Sequence, residues 1–156
     1  MLERLLEAST LCAIATVSGT RAHVNTAYFA WTPEYHVVWI SDARSSHSRN
    51  LGKNSTAAIA VFDSNQVWGK EDRGVQLFGS ARRAGGRALE RARATYSGRF
   101  PAYTAEKLGG YDVYDFRPRR VKLFAEPELG AGSFVTAKVA ADGALAWERT
   151  EIVRGS

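Results

Sequence analysis

The side chains best suited to chemistry are crowded into one polar segment, residues 41–51 (SDARSSHSRNL), directly after an apolar run that ends at Ile40. The segment holds hydroxyl groups, two arginines and a histidine. Such donors can hold a phosphate through charge-assisted hydrogen bonds, and amides at the start of a helix can add to them. A solvated basic loop with a well-capped helix has the same composition, which by itself favours that simpler interpretation.

The elements that must position this segment are predicted to be β-strands. Runs of apolar and β-branched residues are separated by turn residues, at 11–17, 22–31, 36–41, 56–62, 73–82 and 121–125. The strands follow one another without alternating helices, which favours an antiparallel barrel over a βαβ fold. Residues 112–116 are predicted to lead into the sixth strand or to continue it, across the charged stretch 117–120.

Helices are predicted at the N-terminus, after the polar segment and after the fifth strand, at residues 2–8, 46–53 and 87–96, with a further turn at 104–108. Ser45 or Ser46 is expected to cap the second helix. Weak strand signals at 134–139 and 145–150 flank an AADG turn and predict a peripheral hairpin. The expected organisation is one domain over residues 1–129, with residues 130–156 as an extension of it.

Length and composition set the broad class. A chain of 156 residues with 45% apolar residues can bury one domain-sized core. It has no run of about 18 apolar residues, so no membrane partner is expected. The acidic N-terminus argues against a secretory signal, and the single cysteine, Cys12, excludes an intrachain disulfide; both favour a cytoplasmic location. The formal charge of +5 favours anionic partners without naming one.

The order and spacing of several pieces resemble the pyridoxamine 5′-phosphate oxidase-like FMN-binding split barrels. The resemblance covers residues 5–124 and is carried by LCAIATV at 11–17, AHVNTAYF at 22–29, WISDARSSHSRNL at 39–51, RGVQLFG at 73–79 and FRPRRVKLF at 116–124. Among the members, small bacterial proteins that share the RGVQ strand and the later RFP are the most similar. The resemblance implies a mainly β (α+β) fold: an antiparallel six-stranded split β-barrel of Greek-key type with short helices packed on it.

The same resemblance implies a cofactor, FMN, bound at a homodimer interface. The strand that lies along the flavin ring corresponds to Asn25, Thr26, Ala27, Tyr28 and Phe29. Ile40 and Ser41 match the pair that meets the flavin and its ribityl chain. Ser46 and His47 match an Arg-Lys pair that grips the FMN phosphate in the oxidases, with Arg49 and Asn50 beside them. Gly74 stands where the oxidases place a glutamine that reaches the flavin.

Two departures leave alternatives open. Ser46 and His47 remove two permanent charges from the phosphate clamp, although Arg44 or Arg49 could restore a cation, and Gly74 removes a side-chain contact. The related deazaflavin cofactor F420 is therefore the alternative to FMN. The first hypothesis is an FMN-dependent oxidoreductase acting on a small-molecule substrate, with the chemistry supplied by the flavin. The second is a non-enzymatic barrel that binds flavin, F420 or another anionic ligand. A nucleic-acid-binding barrel ranks last.

The remaining residues of interest have simpler interpretations. His23 and His36 are expected to be structural, and three widely spaced histidines with one cysteine give no usable spacing for a metal site. Trp68 lies in a polar loop that could cover a flavin or a partner subunit. The arginines between 82 and 93 are interpreted as the solvated face of a helix, and those at 117–120 are given slightly more weight because they interrupt a strand.

Overall fold

The computed structural model describes residues 1–103, 107 and 109–153, which form a mainly β fold. Its helices are α1 (Leu2–Glu7), α2 (Ser46–Lys53), α3 (Gly86–Arg99) and α4 (Glu126–Leu129). Its strands are β1 (Leu11–Ser18), β2 (Arg21–Trp31), β3 (Val37–Ser41), β4 (Thr56–Phe62), β5 (Arg73–Arg83), β6 (Asp112–Ala125), β7 (Ser133–Val139) and β8 (Leu145–Ile152). No helix in these ranges is both long and apolar enough to cross a membrane.

Six of the strands close into a ring. The sheet order is β3-β2-β1-β4-β5-β6, and β6 pairs back with β3 to complete the barrel. All of these pairings are antiparallel. The six-stranded antiparallel barrel predicted from the sequence is thus confirmed. β7 and β8 form a hairpin that extends the sheet beyond β6.

The barrel interior is filled by the apolar side chains that alternate along its strands. On β1, Cys12 and Ile14 point inward and are buried, and Trp39 and Phe116 are fully buried. Burial raises the pKa of the Cys12 thiol to about 12, so this cysteine serves as a small apolar core residue rather than a nucleophile. α1 covers one opening of the barrel with its buried leucines Leu2, Leu5 and Leu6.

Of the two possibilities predicted for residues 112–116, the structure has the continuation of the sixth strand, because β6 runs without interruption from Asp112 to Ala125. Its charged stretch is accommodated by a bulge. Gly79 of β5 pairs with Pro118 and Phe78 pairs with Arg120, so Arg119 has no partner on β5. A Cβ atom at Gly79 would overlap the carbonyl oxygen of Arg117, which explains why a glycine faces the bulge.

Two segments differ from the predictions. β5 includes Arg82, as the predicted strand 73–82 did, and also Arg83, so neither arginine lies on the helix face that was expected to carry them. α3 continues three residues beyond the predicted end, to Arg99. The predicted helical turn at 104–108 lies outside the described residues, apart from Lys107. The tail hairpin is present, with strands close to the predicted ranges.

The C-terminus of α3 is tied to the barrel by Arg99, whose side chain is only 14% exposed. Its guanidinium donates hydrogen bonds to the carbonyl oxygens of Phe29 and Ser9, each at 2.9 Å, and of Leu6 at 3.3 Å. It also lies over the Phe29 ring, 4.7 Å from the centroid. One side chain thereby joins α3 to β2 and to the end of α1.

Candidate functional site

A groove of about 240 Å³ opens between the middle of β2, the end of β3 and the start of α2. Its lining comes from β2, from the junction between β3 and α2, and from tyrosines of α3 and the chain that follows: Asn25, Thr26, Ala27, Tyr28, Ile40, Ser41, His47, Tyr96, Tyr103 and Tyr111. Seven of these ten residues are among the predicted cofactor-binding residues. The groove therefore brings together seven predicted cofactor-binding residues that are up to 22 positions apart in the sequence.

The polar end of the groove is a compact cluster of hydroxyl groups around His47. Its Nε2 atom lies 2.6 Å from Ser41 Oγ and 3.2 Å from Ser45 Oγ. Ser45 is the N-cap of α2 and accepts a hydrogen bond from the amide of Ser48 at 3.3 Å. This cap fixes the position of the first turn of α2, and the first turn in turn holds His47 against Ser41.

The surroundings of His47 favour its neutral form near pH 7. Burial lowers its pKa below the ordinary value of 6.5, and the neighbouring His23 lowers it further. The two imidazole rings are stacked with their centroids 6.4 Å apart. In this form one ring nitrogen of His47 can donate a hydrogen bond and the other can accept one.

Two buried polar atoms beside the groove have no hydrogen-bond partner in the described part of the chain. They are Asn25 Oδ1 and His23 Nδ1, which come from neighbouring inward positions of β2. A buried acceptor without a donor costs about 1–3 kcal/mol, so such atoms are rarely left unpaired. A ligand in the groove that presents an N–H or O–H group would satisfy the Asn25 oxygen.

The other side chains proposed for the phosphate do not line the groove. Arg44 forms an ion pair with Asp42 at 3.0 Å, and the hydrogen bond from Arg44 lowers the pKa of that carboxyl group. Arg49 donates to the Arg44 carbonyl and lies 3.4 Å from the hydroxyl of the exposed Ser46. Neither guanidinium lines the groove, so within the described residues its polar end carries hydroxyl and imidazole groups rather than a permanent charge.

Three predicted residues lie elsewhere. Phe29 is fully buried in the barrel, beneath Arg99. Asn50 is buried on the inner side of α2, where its amide donates to Thr16 Oγ1 at 3.1 Å. Gly74 pairs with Phe62 and Phe124, and a side chain there would collide with the Phe124 ring. None of the three lines the groove of its own chain.

Three groove tyrosines, Tyr96, Tyr103 and Tyr111, were missed by the sequence analysis, which had included only Tyr28. Tyr96 is almost fully buried, and burial, together with the neighbouring Tyr103 and Tyr28, raises its pKa to about 12. Tyr28, Tyr103 and Tyr111 remain 52%, 38% and 49% exposed and form an open aromatic wall. Helical periodicity could have identified Tyr96 as a core position of α3, but no local pattern relates Tyr103 or Tyr111 to β2.

The groove adjoins an outer face of the barrel that is largely apolar, with Thr26 and Gln76 as polar exceptions. Outward-facing positions of β1, β2, β4 and β5 carry alanines and larger apolar side chains: Leu11, Ala13, Ala15, Val24, Tyr28, Ala58, Ala60, Phe62 and Phe78. The strand register places Val24, Ala15, Ala58 and Phe78 in one row across the four strands. Val24 is 66% exposed and Tyr28 is shared with the groove. A contiguous exposed apolar face of this kind marks an interaction surface.

Comparison with known proteins identifies the fold. A family model described as pyridoxamine 5′-phosphate oxidase matches residues 2–125, and no curated protein matches the sequence. Among solved structures, a heme binding protein from Mycobacterium smegmatis is 20% identical, with a TM-score of 0.72. That similarity covers 86% of this chain but only 55% of the mycobacterial protein.

Two further structures show the same fold at lower identity. The heme storage protein HutZ from Vibrio cholerae is 17% identical, with a TM-score of 0.65, over 80% of this chain and 91% of its own. An FAD-binding protein from Mesorhizobium loti is 12% identical, with a TM-score of 0.63, over 77% of this chain and 87% of its own. At these identities the similarities concern the fold, and the ligand must be argued from the residues of the groove.

Proposed function

The chain belongs to the pyridoxamine 5′-phosphate oxidase family, and on that basis we propose that it is an FMN-dependent oxidoreductase whose flavin occupies the groove between β2, β3 and α2. The observation that supports the proposal most is the unpartnered Asn25 Oδ1, buried beside the groove on the strand that, by the resemblance, corresponds to the flavin-ring strand of the family. An isoalloxazine ring offers an N–H donor for such an acceptor. The deazaflavin cofactor F420 presents the same kind of ring and is the alternative cofactor.

The chain's own residues would bind and orient the cofactor. When bound, a flavin supplies hydride or electron transfer to a small-molecule substrate. The backbone and side chains of residues 25–28 would support the ring, while Ile40 and Ser41 would contact the ribityl chain. Ser45, Ser46 and His47 would meet the phosphate at the start of α2, where helix amides favour an anion. A phosphate there would favour the protonated form of His47, which could replace part of the missing permanent charge.

A homodimer would complete the site. The groove of one chain, at about 240 Å³, is smaller than the roughly 300–1,000 Å³ typical of ligand pockets. Tyr28 belongs both to this groove and to the apolar outer face of β1, β2, β4 and β5. A second copy that packs against this face would therefore also close the groove.

Cofactor binding tests the proposal directly. We expect the purified protein to bind FMN or F420 with at least micromolar affinity, as followed by flavin fluorescence or absorbance. The double substitution Asn25→Ala, His47→Ala should weaken binding by tenfold or more. Asn65→Ala is the matched control, because Asn65 lies in the loop after β4, bonds to Asp63 and does not line the groove. Absence of micromolar binding of either cofactor to the wild-type protein would disprove the proposal.

A second candidate function is non-enzymatic heme binding in the same groove. It is favoured by the stacked pair His23 and His47, since imidazole is a common axial ligand of heme iron, and His23 Nδ1 has no partner in the described structure. Two structures of this fold are a heme binding protein and a heme storage protein. Heme titration should then give a Soret band that shifts in His23→Ala or His47→Ala, whereas an unchanged band in both variants would exclude these ligands.

A further inference from the structure

A second concave site lies on the far part of β5 and β6, where four arginines line a cavity of about 460 Å³. Arg82 and Arg83 come from the end of β5, and Arg117 and Arg119 from the middle of β6. The chain at the start of α3 forms another wall. This cavity shares no lining residue with the groove around His47.

The strand register explains how the arginines converge. Ser80 pairs with Arg117 and Arg82 pairs with Asp115, so Arg82 and Arg117 occupy neighbouring positions on adjacent strands. The bulge then brings Arg119 to the surface beside them, because it has no partner on β5. Bulges are frequently found where a side chain must be re-aimed at a site. Gly79 has no side chain to block the bulge, so it contributes to placing Arg119 at the cavity.

Cations outnumber anions at this cavity. Its one lining carboxylate, Asp115, is 3.0 Å from His36 and 3.3 Å from Arg117. Burial raises the pKa of Asp115, but its contacts with His36 and Arg117 together outweigh this effect and lower the pKa below the ordinary value. Arg83 is paired with Asp112 at 2.8 Å. Within residues 1–103, 107 and 109–153, Arg82 and Arg119 have no ion-pair partner.

We propose that this cavity is a binding site for a small ligand that carries a phosphate or pyrophosphate group. Guanidinium groups bind phosphate oxygens in a bidentate manner, and two unpaired arginines provide the charge that such a group requires. The volume is within the range of small-molecule pockets, whereas the groove is below it. An anion here would also relieve the mutual repulsion of the arginines. The proposal does not depend on the cofactor of the groove.

Calorimetric titration with inorganic phosphate and with pyrophosphate tests the site. We expect pyrophosphate to bind more tightly than phosphate, and the double substitution Arg82→Gln, Arg119→Gln to weaken pyrophosphate binding by at least tenfold. The control is Arg21→Gln, Arg73→Gln, which removes the same charge at exposed positions that do not line the cavity. It should change the affinity by less than twofold. Circular dichroism of both variants verifies that the barrel is folded.

A groove variant separates the two sites. His47→Ala should leave pyrophosphate binding unchanged if the anion is held by the arginines. The proposal is overturned if His47→Ala alone abolishes binding, if both arginine pairs weaken it equally, or if neither anion binds while a single-stranded oligonucleotide does. That last result would indicate that the arginines bind the phosphates of a polynucleotide backbone.

Discussion

The protonation of His47 makes the stability of the protein depend on pH. Its imidazole is held by Ser41 and Ser45, while burial and the nearby His23 lower its pKa. In the unfolded chain the same group binds a proton at its ordinary pKa of 6.5, so the unfolded state holds more protons in the window below that value. The stabilisation from neutral His47 is therefore fully present above about pH 6.5 and is lost as the pH falls through the folded-state pKa.

Thermal unfolding at different pH values tests this linkage. Between pH 7.5 and pH 5 the melting temperature of the wild-type protein should fall, and His47→Gln should show a smaller fall because glutamine does not titrate. Lys53→Gln, an exposed change at the other end of α2, should retain the wild-type pH dependence. Equal falls in the wild-type protein and in His47→Gln would show that His47 does not contribute.

For Arg99 we predict an effect on stability rather than on binding, because its role is structural. Arg99→Lys keeps the charge but loses the planar fork that reaches the carbonyl oxygens of Leu6, Ser9 and Phe29. We expect the free energy of unfolding to fall by about 2–3 kcal/mol, since buried carbonyl groups would lose charged donors. Urea denaturation measures the change, with the exposed Arg91→Lys as a control expected to stay within about 0.5 kcal/mol of the wild type.

Among the helices and strands, those whose positions are determined by a local sequence pattern could be predicted from the sequence. The alternation of Cys12 and Ile14 with alanines, and the cap provided by Ser45, are local signals, and β1 and α2 were placed correctly. The continuity of β6 through the arginines depends instead on pairing with a strand distant in the chain, as Gly79 of β5 pairs with Pro118, 39 residues later. The convergence of Tyr103 and Tyr111 on β2 is likewise a tertiary effect with no local signature.

The bulge between β5 and β6 is predicted to require a glycine at position 79. Gly79→Ala places a methyl group against the Arg117 carbonyl, so either the bulge opens or the strands separate locally. We expect a loss of about 2 kcal/mol or more in stability, together with weaker pyrophosphate binding. Gly52→Ala is the control, because Gly52 is in α2 with open space around its Cα and should gain up to about 1 kcal/mol. A Gly79→Ala protein as stable as the wild type would contradict the account of the bulge.

The molecule as a whole presents two surfaces of opposite character. The outer face of β1, β2, β4 and β5 is apolar and rich in alanine, whereas the β5–β6 side beyond the bulge is strongly basic. Alanines at the centre of a sheet face permit close approach of a second flat surface. A stable dimer buries roughly 800 Å² on each partner, which a face four strands wide can supply.

Ala58 is the best position at which to test the dimer, because it lies between Ala15 and Phe78 in the middle of this face. Ala58→Glu would bury an unpaired carboxylate in the interface, which costs several kcal/mol and should raise the dimer dissociation constant at least 100-fold. Leu145→Glu adds the same charge at an exposed site on the β7–β8 hairpin and should leave the dimer intact. Analytical ultracentrifugation measures both variants. Because a second copy is expected to close the groove, the monomeric variant should also lose FMN affinity, and retention of full affinity by a monomer would show that one chain is sufficient to form the site.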